Sequence, residues 1–90
     1  MKSNADLGLH QIGVGQAMTV LAVAPCEHAP EWSQWLQELG FLPGEQVQIM
    51  AKGFPSGDPM VVRVGLSTFA LRTAEAACVR VVVNHVGDGA

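Results

Sequence analysis

Apolar and polar positions change period several times along the chain. From Gln16 to Ala24 the residues are mostly apolar and include Val20, Leu21 and Val23, with Gly13 and Gly15 before the run and Pro25 after it. A short apolar run between turn signals predicts a β-strand. In Pro30 to Gly40, Trp32, Trp35, Leu36 and Leu39 fall at i, i+3, i+4 and i+7. That spacing places all four on one face of a helix about three turns long. Pro30 at its start, Glu31 in its first turn and Gly40 just past its end are the matching boundary signals.

After Phe41-Leu42-Pro43-Gly44, a turn with Pro43 and Gly44 at the central positions of type II, the period becomes two. Val47, Ile49 and Ala51 alternate with Gln46, Gln48 and Met50. Gly53 to Asp58 has loop composition, and Met60 to Val64 returns as a strand that forms a hairpin with its predecessor. Thr68 to Arg72 supplies a third strand of the meander, and Thr73 to Ala77 fits a single helical or 3₁₀ turn. Cys78 to Asn84 is a valine-rich last strand. About five short antiparallel strands with one amphipathic helix inserted after the first predict a mainly β protein, a small barrel. Residues 1–8 and 86–90 are expected to be flexible ends around one domain at 9–85.

Composition supports a packed core. At 49% hydrophobic and 14% charged residues, ninety residues can bury apolar side chains without a metal or disulfide to hold them. The longest apolar run is far short of the roughly 20 residues that span a bilayer, and the N-terminus lacks the pattern of a signal peptide. A cytoplasmic protein without membrane insertion is expected. Five basic against eight acidic residues give a net charge of −3, which disfavours nucleic acid as a partner. Cys26 and Cys78 are far apart in sequence, and in a reducing cytoplasm two free thiols are expected.

An ordered set of short motifs carries a resemblance. Leu9-x-x-Ile12-x-x-Gly15 precedes the first strand, and Leu36-x-x-Leu39-Gly40-Phe41-x-Pro43-Gly44 crosses the helix end. Gly57-Asp58-Pro59 and Ala70-Leu71-Arg72-x-x-Glu75-Ala76 follow, then the valine strand. In this order and spacing, from about residue 9 to residue 83, the chain resembles the FeoA family. One position departs from that family's pattern, because Trp35 stands where a basic residue often precedes the helix leucine. The resemblance implies an SH3-like barrel and a non-enzymatic accessory protein of ferrous iron uptake. It further implies a partner, the cytoplasmic, GTP-binding part of the FeoB transporter, whose activity or assembly the chain would modulate. The alternative is a stand-alone SH3-like metal-responsive module, related to the C-terminal domain of metal-dependent repressors.

Candidate contact residues follow from placement. Phe54, Pro55 and Met60 lie on or beside a loop that has no evident core to pack against, and Trp32 sits at the edge of the helical stripe. Trp35 is assigned to the core. Cys26 and His28 are the one local pair of strong metal donors, too few for a zinc site by themselves. No cofactor is required on this reading, and zinc at Cys26 and His28 would be adventitious, bridging a weak homodimer. Arg72 and Glu75 are read as a short-range ion pair. Neither a catalytic constellation nor a Walker-type phosphate loop is present.

Overall fold

The computed structural model describes residues 7–26 and 29–84. Six strands form one antiparallel sheet: β1 (Leu7–Gly8), β2 (Met18–Val23), β3 (Gln46–Gly53), β4 (Gly57–Val64), β5 (Ser67–Leu71) and β6 (Val79–Val83). Their spatial order is β1-β6-β2-β3-β4-β5. A 3₁₀ turn (Leu9–Gln11) follows β1, α1 (Glu31–Leu39) lies between β2 and β3, and α2 (Thr73–Ala76) lies between β5 and β6. The sheet wraps a core that includes Leu9, Met18, Val20, Leu36, Phe41, Ile49, Val62, Leu71 and Val81. Among the described residues no ladder joins β5 to β1, so the barrel stays open at that seam.

Helix α1 begins after Pro30 and ends at Gly40, whose φ of 120° is a left-handed conformation that suits glycine. The Gly40 N–H donates to Gln37 O and the Phe41 N–H donates to Leu36 O, which satisfies carbonyls left over at the helix end. The same cap turns Phe41 into the core, where its ring lies 6.4 Å from that of Phe69 on β5. Gly44 N–H then donates to Val20 O, and Val20 N–H donates to Glu45 O. These two bonds stitch the turn to β2 at the point where β2 bulges.

Several expectations are corrected. Leu7 and Gly8, assigned to a flexible end, pair with Val81 and Arg80, and two residues are too few to show a period. Bulges after Val20 and after Ile49 interrupt the alternation. Leu21 therefore lies exposed in a largely apolar run, and Ala51 is exposed although the alternation from Val47 and Ile49 would carry it inward. Strand β4 begins at Gly57, so the β3–β4 loop shrinks to Phe54–Ser56, and Met60 is an inward strand residue opposite Leu71, 1% exposed. Trp35 is 38% exposed whereas Leu36 is fully buried. Successive helical residues point about 100° apart, so a helix turned to bury Leu36 swings Trp35 to the rim.

The two cysteines are also not free. Cys26 Sγ is bonded to Cys78 Sγ, with the Cα atoms 6.0 Å apart and a sequence separation of 52. Strands β2 and β6 pair as far as Val23 with Val79, and Ala24 N–H donates to Cys78 O. The end of one ladder thus sets the cysteines face to face, which sequence distance conceals. Each sulfur also has a carbonyl oxygen nearby, Ala24 O at 3.7 Å from Cys26 and Ala74 O at 3.6 Å from Cys78. Those carbonyls can accept the S–H groups when the bond is reduced.

Two stability outcomes are expected. Leu71→Ala removes a fully buried side chain facing Met60 and should cost about 2–5 kcal/mol in urea denaturation. A cost below about 1 kcal/mol would contradict the packing of β5. Opening a cross-link over 52 residues should cost about 2–4 kcal/mol. Reductant should lower the urea midpoint of the parent and leave a Cys26→Ala/Cys78→Ala variant unchanged. Equal response of both proteins to reductant would show that the bond contributes nothing.

Candidate functional site

The surface feature that stands out lies at the tip of the β3–β4 hairpin. Phe54 is 95% exposed, and Pro55 beside it is exposed as well. An aromatic ring in full contact with water serves no packing purpose in the monomer and has the character of an interface anchor. Met60, grouped with them from the sequence, belongs to the core beneath and can support the loop only from inside. Trp32 is half-buried on α1, and Trp35 presents more of its ring to solvent than Trp32 does. Other exposed apolar side chains that sequence reasoning missed include Val14, Leu42 and Leu66. Leu66 is 94% exposed in the β4–β5 turn, where its position between Gly65 and Ser67 was the available signal.

The tip of the hairpin is tied to α2 through Asp58. The Asp58 carboxylate accepts from the Thr73 backbone N–H at 2.6 Å and from the Thr73 hydroxyl. These bonds, led by the hydroxyl, hold Asp58 below the usual carboxylate range, with Arg72 adding to the effect. The Glu75 carboxylate accepts from the Arg72 backbone N–H at 2.8 Å, so the expected pairing of these residues runs through the main chain. It closes the first turn of α2 in the manner of a capping residue.

A basic group of side chains lies on the same side of the hairpin. His10, at the 3₁₀ turn, packs its ring against Gly8, where a Cβ would lie 2.5 Å from the ring Cε1. The Arg80 guanidinium approaches the same point to 3.4 Å. Burial lowers the His10 pKa from its ordinary value, and the charges of Arg80 and Lys52 lower it further.

For metal chemistry the donors are less favourable. Cys26, held in the disulfide, has no thiolate to offer, and His28 lies outside the described residues. Among the described residues no three His, Cys, Asp or Glu side chains gather as a metal-binding group.

Comparisons with known proteins agree with this architecture. The FeoA domain family matches residues 7–83. The crystal structure of Stenotrophomonas maltophilia FeoA complexed with zinc, described as a prokaryotic SH3 domain protein, is 37% identical. The match covers 84% of this chain and 87% of that one, with a TM-score of 0.72. The FeoA-like protein of Clostridium acetobutylicum is 24% identical over 94% of both chains, with a TM-score of 0.75, a likeness of fold. The T. acidophilum IdeR structure is 17% identical, with a TM-score of 0.69. That match covers 93% of this chain but 37% of IdeR, and again it shows the fold alone. No curated protein sequence matches.

His10 supplies a pH signature. The unfolded chain takes up the imidazole proton near 6.5, whereas the folded chain resists it until a lower pH. The contribution of this group to stability is therefore full above about pH 6.5 and is lost as pH falls through the folded pKa. Urea midpoints should fall more steeply on acidification in the parent than in His10→Gln. Parallel pH profiles for the two proteins would contradict the lowered pKa.

Proposed function

The chain belongs to the FeoA domain family, matched over residues 7–83, and from that premise we propose that it binds the cytoplasmic part of a FeoB-type GTPase transporter and modulates its activity or assembly. The family accounts for a role as a small accessory protein of ferrous iron transport. Among the described residues no helix is long and apolar enough to cross a membrane. The observation that carries the docking proposal is Phe54, an aromatic ring 95% exposed on a hairpin tip that is braced from below by buried Met60 and tied to α2 through Asp58. The bonds from Thr73 to Asp58 hold the strand beside the ring, which reduces the backbone freedom lost when a partner covers it. Pro55 extends the apolar contact, and Trp32 on α1 is a second, partly covered contributor. With a net charge of −3, binding by charge alone is disfavoured and apolar anchors supply the affinity.

Titration calorimetry with the purified soluble portion of the transporter tests the proposal. Phe54→Ala should weaken binding by more than about 1 kcal/mol while the melting temperature stays within about a degree of the parent. Loss of stability equal to the loss of binding would return Phe54 to a packing role. Unchanged affinity would move the contact elsewhere on the surface.

A further inference from the structure

Between the β3–β4 hairpin, the 3₁₀ turn and the start of α2 lies a recess of about 360 Å³. His10, Lys52, Ser56 and Thr73 are among its lining residues, over a floor that includes Met60. No Asp or Glu is among the described residues that line it. In a chain with eight acidic and five basic residues, an imidazole and an ammonium share a small concavity with no carboxylate among its described lining residues.

We propose that this recess is a binding site for a single carboxylate group, held between the His10 imidazole and the Lys52 ammonium with the Ser56 hydroxyl as a further donor. The proposal does not depend on the partner assigned above.

Three observations support it. First, His10 Nδ1 is buried and has no hydrogen-bond partner among the described residues. A buried N–H without an acceptor is costly, so the proton of the neutral ring belongs on Nε2, which leaves Nε2–H as the donor that can face the recess. Second, Ser56 Oγ accepts from Asp58 N–H at 3.3 Å, and its own proton remains to be donated. Third, the chain already fills the neighbouring anion position with its own carboxylate. Asp58 takes both the N–H and the hydroxyl of Thr73, and it lines a separate recess with Pro59 and Arg72.

The donors that remain are one imidazole, one ammonium and one hydroxyl. That set matches the two oxygens and single charge of a carboxylate, and falls short of what a phosphate dianion requires. The charged groups facing His10 are Arg80 from β6 and Lys52 from β3, and both lower its pKa. A carboxylate between them would reverse that effect and raise it. The carboxylate could belong to a free small acid or to an acidic side chain of a docked protein.

Nuclear magnetic resonance of the imidazole, assigned with His10→Gln, reads the site directly. The full chain is titrated with sodium acetate, a capped Ala-Glu-Ala tripeptide, citrate or inorganic phosphate, each against sodium chloride at equal ionic strength. Acetate should shift the His10 resonances saturably and raise the His10 pKa, with no such effect from chloride. Lys52→Met should weaken acetate binding roughly 3- to 10-fold. Affinity for the tripeptide equal to or above that for citrate would assign the natural carboxylate to a protein side chain, and the reverse to a small acid. The carboxylate site is overturned if acetate acts only as chloride does, if Lys52→Met binds acetate as the parent does, or if phosphate binds more tightly than every carboxylate.

Discussion

The pairing of β2 with β6 is the constraint on which the rest of the molecule depends. It joins residues 18–23 to residues 79–83 and so brings nearly the whole chain back on itself. Val20 and Val81 are directly opposed in this ladder and both are buried, which places its inner face at the centre of the core. Its far end sets Cys26 against Cys78. At its near end Thr19, Gln46 and Asn84 close a ring of three side-chain hydrogen bonds of 2.7, 3.1 and 2.8 Å. A ladder between such distant segments costs loop-closure entropy before it returns any contact. The local β3–β4–β5 meander carries no such cost and offers a surface for that closure.

Two bulges and one helix cap then decide which side chains are left outside. The bulge in β2 exposes Leu21, and the bulge in β3 turns Met50 and Ala51 outward. The cap at Gly40 directs Phe41 inward and leaves Leu42 in solvent. On the hairpin the alternation of β4 takes Met60 into the core, and the short turn has no interior position for Phe54. Exposure of Phe54 is thus a consequence of strand register, and the docking proposal rests on it.

The electrostatics of the hairpin region run against the net charge of the chain. His10, Lys52 and Arg80 come from three separate elements, and the charges of the latter two both act on His10, while Asp58 on the adjoining strand is held in its ionised form by the bonds from Thr73 and by Arg72. A recess of basic character next to an exposed aromatic ring combines two kinds of recognition. On the two proposals made above, the apolar ring would supply area, and the basic recess would add orientation and selectivity for one charge sign.

Much of this protein was legible in one dimension. Period-two and period-3.6 patterns, with Pro and Gly at their borders, determined the main strands and α1, because those signals are local to the backbone. The order of the short motifs determined the family. Phe54 could be singled out because loop composition around an aromatic residue is itself a local signal. Tertiary structure alone decided the remainder. Met60 is core and Trp35 is rim because burial depends on register and on helix rotation, which no short window contains. Cys26 meets Cys78, and His10 meets Lys52 and Arg80, because antiparallel ladders bring together residues separated by tens of positions. Charge and bonding between such residues act through space, and only the fold sets those distances.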